Sequence, residues 1–378
     1  MDSDYLLLTP GPLSTTPGVR KAMNRDVSTW DSEYNSVVQT IRRRLVELAG
    51  NASDSSAVLM QGSGTFGVEA TIGSVVPPDG ELLVVSNGAY GARMLTIAKR
   101  LGIRSVPAHF DETEPADPDT IADLLKTHPA VTHVAVVHCE TTSGMMNPVE
   151  MIGEVVSRAG RSFIVDAMSS FGGVPMSLDS LSADYIISSA NKCIQGVPGF
   201  SFVVARNAAL DATAGRARSL SLDLHGQWQE METHQGKWRF TSPTHTVLAF
   251  AQALDELDAE GGVAARFTRY TDNQSRLVTG MQEIGFQTLL PIALQSPIIT
   301  SFHDPVPDFQ FQHFYDELKQ RGFVIYPGKV TRSNTFRMGT IGDIHPADIE
   351  RLLSAVGDVS ANMGFFPNRT SPPTGLGE

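Results

Sequence analysis

The stretch that decides the fold is Asp184-Tyr-Ile-Ile-Ser-Ser-Ala-Asn-Lys192, which leads into a glycine-rich loop ending at Gly199. Its apolar run predicts a buried strand that ends near one lysine. Burial at such a place lowers the pKa of an amine and makes it available as a nucleophile for a carbonyl group. A lone lysine is more often a solvated surface residue, so this interpretation of Lys192 depends on other parts of the chain.

A second strand end supports it. Ser162-Phe-Ile-Val-Asp166 predicts a buried strand that ends in a carboxylate. Pyridoxal 5'-phosphate (PLP) needs a lysine that binds its aldehyde and an acid that pairs with its pyridine nitrogen. Lys192 and Asp166 are therefore the predicted catalytic pair, and PLP is the predicted cofactor.

The surrounding chain alternates between apolar strand-like runs and helical patterns from Ala57 to Val204. Such strands, apolar on both faces and separated by helices, are typical of an α/β fold with a mainly parallel, doubly covered sheet. Ligands bind beyond the carboxyl ends of the strands in these sheets. After about residue 257, short strands and helices predict a smaller α/β region. The run Arg42-Arg43-Arg44 predicts a solvated helix face.

A glycine motif offers an alternative function from a different class. Gly62-Ser-Gly-Thr-Phe-Gly67 follows a predicted strand, begins a predicted helix and matches the G-x-G-x-x-G pattern of NAD-dependent oxidoreductases. That pattern requires an acidic residue at the end of the next strand, whereas this strand ends in Ser86-Asn87. Helix N-terminal amides with the Ser63 and Thr65 hydroxyls suit a single phosphate instead, which favours PLP.

Two further predicted strand ends carry candidate cofactor contacts. Tyr90 is flanked by glycines in Asn87-Gly-Ala-Tyr-Gly91 and could lie flat on a pyridine ring; a core aromatic at a helix start is an equally good interpretation. Thr141, in His138-Cys-Glu-Thr-Thr-Ser-Gly144, could hydrogen-bond the cofactor, with a turn rich in capping groups as the competing interpretation. The histidines lack metal-binding spacing, so no metal is predicted.

Composition sets the outer limits. A chain of 378 residues exceeds the usual size of one core, which predicts two domains. The net charge of -12 argues against nucleic-acid or anionic-membrane surfaces. No apolar run approaches membrane-spanning length, and the acidic N-terminus does not match a signal peptide. Cys139 and Cys193 are predicted to be buried thiols. The reducing cytoplasm is the predicted compartment.

Taken together, the motifs resemble the class V aminotransferases of PLP fold type I over nearly the whole chain. The most specific shared segments are Leu8-Thr-Pro-Gly-Pro12, Arg25-Asp-Val-Ser-Thr-Trp-Asp31, Gln61-Gly-Ser-Gly-Thr65, Cys139-Glu-Thr-Thr-Ser-Gly144, Asp166-Ala-Met-Ser-Ser-Phe-Gly-Gly173, Ser188-Ser-Ala-Asn-Lys192, Arg239-Phe-Thr-Ser-Pro-Thr-His245 and Phe336-Arg-Met-Gly-Thr-Ile-Gly342. The resemblance implies a large PLP-binding domain at residues 16–257 and a small α/β domain built from residues 1–15 and 258–370. Residues 371–378 are rich in proline and glycine, which predicts a frayed tail.

The resemblance also implies roles for cofactor-binding residues. Lys192 would bind PLP covalently, and Asp166 would pair with its ring nitrogen. Thr241 would reach the phosphate of a neighbouring active site across a homodimer interface. The phosphate loop would consist of Ser63, Gly64 and Thr65.

The substrate site follows from the same resemblance. Arg337 would bind the anionic end of the substrate, and Trp30 would line that pocket. The implied reaction converts 2-aminoethylphosphonate and pyruvate to phosphonoacetaldehyde and alanine. Because a guanidinium fork binds a carboxylate as readily as a phosphonate, two alternatives stay open. One is transfer from alanine or serine to glyoxylate or pyruvate, and the other is a hydroxylated aminophosphonate donor.

Overall fold

A computed structural model describes residues 5–50 and 53–365. The predicted tail at 371–378 lies outside the described residues, as do residues 1–4 and 366–370 of the predicted small domain. The strands are β1 (Leu6–Leu7), β2 (Ser55–Gln61), β3 (Glu81–Ser86), β4 (Arg104–His109), β5 (Val131–Val137), β6 (Cys139–Glu140), β7 (Met145–Met146), β8 (Ser162–Asp166), β9 (Tyr185–Ser189), β10 (Phe200–Arg206), β11 (Ile299–His303), β12 (Phe323–Val324), β13 (Tyr326–Pro327) and β14 (Thr335–Gly339). The α-helices are α1 (Pro17–Ala22), α2 (Ser32–Leu48), α3 (Gly64–Val75), α4 (Ala89–Arg100), α5 (Pro118–Thr127), α6 (Val149–Arg158), α7 (Asn207–Asp211), α8 (Leu224–Thr233), α9 (Thr244–Glu260), α10 (Gly262–Ile284), α11 (Phe311–Gln320) and α12 (Pro346–Met363).

The central sheet has seven strands in the order β2-β10-β9-β8-β5-β3-β4. The predicted mainly parallel sheet is confirmed, because the pairs from β9 to β4 are all parallel. The exception is β10, which runs antiparallel to both β9 and β2. The connection from β9 to β10 contains no helix. A connection without a crossover can only join antiparallel neighbours, so the loop that carries Lys192 also reverses the chain.

Local sequence explains how the first helix begins. Thr16 is the N-cap of α1 and accepts a hydrogen bond from the Val19 amide, while Pro17 occupies the first helical position. Proline fits there because that amide has no helical acceptor. The first turn of α1 thereby ends the N-terminal segment and starts the large sheet-containing region.

Three large apolar clusters form the core. Two of them cover the opposite faces of the central sheet. The third joins Leu8 to side chains from α10, α11, α12, β11 and β14. The backbone agrees, because β1 pairs in parallel with β12 through Leu6–Phe323 and Leu7–Val324. The N-terminal strand therefore packs with the C-terminal part of the chain. None of the described helices has the length and apolar character needed to span a membrane.

The prediction of a solvated arginine face was wrong for Arg42. Its side chain is buried, and Nε donates to the Ala57 carbonyl over 2.7 Å while the guanidinium pairs with Glu232. Gln227 donates similarly to the Leu59 carbonyl over 3.0 Å. These carbonyls belong to β2, an edge strand whose outer backbone groups have no strand partner. The two side chains satisfy that edge and shield it from another chain.

Candidate active site

Lys192 and Asp166 lie at the same edge of the central sheet. Asp166 ends β8, and Lys192 follows the end of the adjacent parallel strand β9 by three residues. Burial lowers the pKa of Lys192 to about 8, and the nearby Arg337 charge contributes in the same direction. Burial raises the pKa of Asp166 to about 6, against the opposing charge of Lys192. The amine is therefore partly neutral near physiological pH, which a nucleophile requires.

The N-terminal segment holds the lysine in place. Lys192 Nζ donates a 2.6 Å hydrogen bond to the carbonyl oxygen of Pro10. The next residue, Gly11, has φ +102°, and a Cβ there would lie 2.8 Å from Lys192 Cδ and 2.9 Å from the Asn191 carbonyl oxygen. Both the backbone conformation and the close approach require glycine.

Asp166 keeps one oxygen available. Its side chain is 5% exposed, and Oδ1 accepts a 2.9 Å hydrogen bond from the Met168 amide. Within the described residues, Oδ2 makes no hydrogen bond and no cation lies at ion-pair distance. The neighbouring His138 bonds Ser170 through Nδ1 at 2.9 Å, and burial lowers its pKa to about 4, so it is neutral. A buried carboxylate in this state suits a protonated ring nitrogen.

The N-terminus of α3 faces the same region. Ser63 is its N-cap and Gly64 its first residue, so the amides of this turn have no intrahelical acceptor. A Cβ on Gly64 would lie 2.3 Å from Met168 Sδ, which explains the glycine. The Thr65 hydroxyl accepts a 3.2 Å hydrogen bond from Arg93. Amides, hydroxyl and guanidinium together form a site suited to a phosphate group.

Tyr90, in the first turn of α4, is close to two cations. The charged groups of Arg93 and Lys329 lie 4.8 Å and 5.1 Å from its ring centroid. Its amide donates to Glu140 Oε2 over 3.2 Å. No ligand is present to test stacking on a pyridine ring, so that role of Tyr90 stays a prediction.

Glu140 is a site residue that sequence reasoning missed. Its carboxylate is fully buried and accepts hydrogen bonds from the Tyr90 amide, the Thr142 amide and the Thr142 hydroxyl, the last at 2.6 Å. A Cβ on Gly88 would lie 2.4 Å from Glu140 Cδ. The acid thus caps α4 and fixes the direction of Tyr90. The sequence signal that could have identified Glu140 is its place in the polar cluster that follows an apolar strand.

Arg337 is a buried cation without an acidic partner. Nη1 donates to the Thr141 carbonyl over 2.7 Å, Nε donates to the Pro327 carbonyl over 2.9 Å, and the Tyr326 ring lies 5.1 Å away. In the part of the chain that the structure describes, Nη2 makes no hydrogen bond and the Thr141 hydroxyl makes none either. A desolvated guanidinium that lacks a carboxylate is suited to bind an anion.

Two predicted site residues do not join this cluster within one chain. Thr241 is exposed, and Trp30 is 82% exposed with the Lys237 ammonium 5.4 Å from its ring. Beside the start of α3 lies a cavity of about 410 Å³ that Phe66 and Phe240 help to line, and both are about half exposed. The predicted roles of Thr241 and Trp30 therefore stay predictions.

The chain is similar in sequence to a known enzyme family and to named bacterial proteins. The family model for class V aminotransferases matches residues 18–341. A protein of Syntrophobacter fumaroxidans named 2-aminoethylphosphonate–pyruvate transaminase is 61% identical over 364 residues, which cover 96% of this chain and 98% of the relative. A protein of the same name from Vibrio cholerae is 59% identical over 358 residues, covering 94% and 98%.

Solved structures agree on the fold. Ureidoglycine–glyoxylate aminotransferase from Bacillus subtilis superposes with a TM-score of 0.89 at 22% identity, covering 97% of this chain and 95% of the other. Pyridoxamine–pyruvate aminotransferase from Mesorhizobium loti gives a TM-score of 0.87 at 25% identity, covering 96% and 93%.

Proposed function

The chain belongs to the class V aminotransferase family, and we propose that it uses PLP to transfer the amino group of 2-aminoethylphosphonate to pyruvate. The products are phosphonoacetaldehyde and alanine. The observation that carries this proposal is the identity of 61% and 59%, over nearly the full length, to two proteins named for that reaction. The presence of a buried, acid-free Arg337 beside Lys192 agrees with two anionic substrates.

The chain's own groups fit PLP. Ser63, Gly64 and Thr65 at the start of α3 would hold the phosphate, because their amides and hydroxyls converge where no helical acceptor exists. The free Oδ2 of Asp166 would accept a hydrogen bond from the ring nitrogen. The Thr141 hydroxyl and the Tyr90 ring would contact the rest of the cofactor. PLP when bound supplies an aldehyde that captures the substrate amine and a ring that withdraws electrons.

Lys192 performs two tasks. Its amine, with a pKa of about 8, would hold the cofactor and would be displaced from it by the incoming substrate amine. The free Lys192 amine would then take the proton from the substrate carbon that bears the amino group and return it on the far side of the nitrogen, two bonds away. The Pro10 carbonyl orients the amine before substrate arrives. Asp166 would hold the ring nitrogen in its protonated form, because the negative charge of a buried carboxylate stabilises a positive neighbour.

Arg337 positions both substrates. Among the described residues Nη2 makes no hydrogen bond, so its N–H groups would be available to the phosphonate of the donor and later to the carboxylate of pyruvate. The guanidinium itself is fixed by the Thr141 and Pro327 carbonyls, so it is preorganised rather than recruited.

A second copy of the chain completes the site in our proposal. Thr241 is exposed and would reach the phosphate loop of the neighbouring subunit, while Trp30 would line the substrate pocket. The half-exposed Phe66 and Phe240 support an apolar contact there. We retain the division into residues 16–257 and 1–15 with 258–370, supported by the separate core around Leu8. The cytoplasm stays our prediction for the compartment.

A half-reaction tests the proposal. The PLP form is mixed with 2-aminoethylphosphonate, and separately with alanine, serine or glycine, without any acceptor, and its visible absorbance is followed. We expect rapid bleaching by the aminophosphonate, with alanine the only efficient amino acid. Lys192→Ala should not bleach. Bleaching by amino acids alone would replace the proposal with amino acid–glyoxylate or amino acid–pyruvate transfer.

A further inference from the structure

Two cations beyond the predicted site residues lie near Arg337. Arg93 belongs to α4, whereas Lys329 is exposed on the loop between β13 and β14. Both have their charged groups near the Tyr90 ring, at 4.8 Å and 5.1 Å. Burial lowers the pKa of Lys329, the charges of Arg93 and Arg337 lower it further, and the more distant carboxylate of Glu140 opposes them. The three cations therefore share one electrostatic environment.

These three cations lack acidic partners among the described residues, in contrast to two shielded arginines of α10. Arg266 and Arg269 both pair with Glu260, at 2.7 Å and 2.8 Å. Within residues 5–50 and 53–365, no carboxylate lies at ion-pair distance from any of the three. A like-charged group of this kind is unfavourable until an anion binds. Its total charge exceeds what one carboxylate neutralises.

The hydrogen bonds divide the three between two anions. Arg93 donates to the Thr65 hydroxyl, at the predicted phosphate end of the cofactor. Arg337 is fixed on the opposite side by backbone carbonyls. Lys329 has no hydrogen bond in the described part of the chain. Its loop joins β13, which carries Tyr326, to β14, which carries Arg337. Its ammonium is the one left for the substrate.

The loop of Lys329 is tied to the large region. The amide and hydroxyl of Thr331 each donate 2.8 Å hydrogen bonds to Glu112 Oε2, and Arg332 pairs with Asp111. These acids follow β4 at the end of the central sheet. The contact holds the loop of Lys329 against the large region without using the Lys329 side chain.

We propose that Lys329 selects a phosphonate over a carboxylate by binding the second negative charge of the amino donor, and that Glu112 positions its loop. A carboxylate is neutralised by the Arg337 fork alone, whereas a phosphonate dianion has a further charge and a third oxygen. An ammonium acts as a point charge that suits the extra oxygen. This inference rests on the proposed function.

Non-reactive ligands separate the charges. Ethylphosphonate and propionate lack the amino group, so their dissociation constants on the PLP-loaded enzyme can be measured by calorimetry, at a pH where the phosphonate is a dianion. Lys329→Met should raise the dissociation constant of ethylphosphonate about tenfold and that of propionate less than about twofold. The matched control is Lys319→Met, since that ammonium also lies near a tyrosine ring, 5.6 Å from Tyr5; it should change neither constant.

Each remaining outcome has a meaning. The role of Lys329 would be overturned if Lys329→Met weakened the binding of both ligands equally or of neither. It would also be overturned if the variant bound PLP more weakly but bound ethylphosphonate as wild type does. Glu112→Ala should also weaken ethylphosphonate, and adding it to Lys329→Met should cause no further loss, because both act through one contact. If wild type bleaches with 2-aminoethylphosphonate while Lys329→Met binds ethylphosphonate normally, only Lys329 loses its role. If wild type does not bleach, the proposed function itself fails.

Discussion

Lys192 Nζ donates a 2.6 Å hydrogen bond to the carbonyl oxygen of Pro10, a residue 182 positions earlier in the sequence. The reactive amine is therefore oriented by the backbone of the N-terminal segment and not by a neighbouring side chain. A backbone acceptor cannot take up the proton that the amine must carry during turnover. The contact thus holds the amine without competing for its chemistry.

That contact predicts a specific effect of Gly11→Ala. The new Cβ would press on Lys192 Cδ and on a backbone oxygen, so we expect PLP attachment at least about tenfold slower than in wild type, measured by absorbance. Gly102→Ala is the matched control, because Gly102 also has positive φ, at +67°, but its Cβ would meet nothing within 4 Å. Gly102→Ala should lose about 1 kcal/mol of unfolding free energy, and Gly11→Ala should lose more because its Cβ also overlaps other atoms. Equal attachment rates would disprove the role of the contact.

The lowered pKa of Lys192 predicts how PLP attachment depends on pH. The neutral amine is the nucleophile, and its fraction rises about tenfold per pH unit below a pKa of about 8 and levels off above it. Stopped-flow absorbance of apoenzyme mixed with PLP should show that bend near pH 8. A bend near the ordinary lysine value would mean that burial does not perturb this amine.

Asp166→Asn should stabilise the apoprotein while weakening cofactor binding. Burial raises the pKa of the acid from 3.8 to about 6, so the ionised form opposes folding at neutral pH. About two pH units correspond to at most about 3 kcal/mol of unfolding free energy regained in the variant. The gain should be full above pH 6 and should fade as the pH falls to 3.8, below which the acid becomes protonated in both states.

Urea unfolding of apoprotein at several pH values measures this gain. Asp179→Asn provides the control, since Asp179 lies on the surface in an ion pair with Arg206. It should change stability by less than about 1 kcal/mol. A destabilised Asp166→Asn apoprotein at pH 7 would contradict the electrostatic account.

Gly88→Ala should disturb the cap of α4. Its Cβ would overlap the Glu140 carboxyl group, so we expect a loss of about 1–3 kcal/mol in unfolding free energy and weaker binding of PLP against Tyr90. Gly357→Ala is a contrasting control, because it lies within α12 with open space around it. That change should add up to about 1 kcal/mol. Denaturant unfolding of both variants distinguishes overlap from a general glycine effect.

Subunit mixing tests the position of Thr241. Thr241→Val should weaken PLP binding about tenfold, and Lys192→Ala should abolish turnover. If Thr241 serves the neighbouring subunit, a mixed dimer contains one intact site and regains activity, because both lesions fall in the other site. Each variant incubated alone is the control. No regain in a mixture shown by native mass spectrometry to contain the mixed dimer would place Thr241 in its own site.

The sheet and the shared position of Asp166 and Lys192 were predictable from the sequence, because both depend on local patterns. Apolar runs that end in Asp166 or near Lys192 identify strand ends, and parallel strands bring their ends to one edge. Thr16 and Pro17 likewise predict the start of α1. The reversed direction of β10 did not follow from its apolar pattern, since parallel and antiparallel core strands read alike when both faces are buried.

Other features depend on contacts between distant residues. Lys329 lies near Tyr90 on a loop that is hydrogen-bonded to Glu112, a residue more than 200 positions away in the sequence. Arg42 resembles its solvated neighbours in sequence, yet it covers an unpaired carbonyl of β2. Nothing in the spacing of residues indicates which arginine of a run meets a sheet edge. Such positions are determined by tertiary packing alone.

The pairing of β1 with β12 has a consequence for biosynthesis. Leu6 is synthesised before every strand of the central sheet, and its partner Phe323 is synthesised after all of them. Residues of the central sheet have by then all been made, and domains fold in the order of synthesis. Pro10 lies three residues beyond β1, so we expect its carbonyl to reach Lys192 after that pairing has formed. A chain that stops before Phe323 lacks the strand on which its N-terminal segment pairs, and we expect its Lys192 amine to lack the Pro10 acceptor.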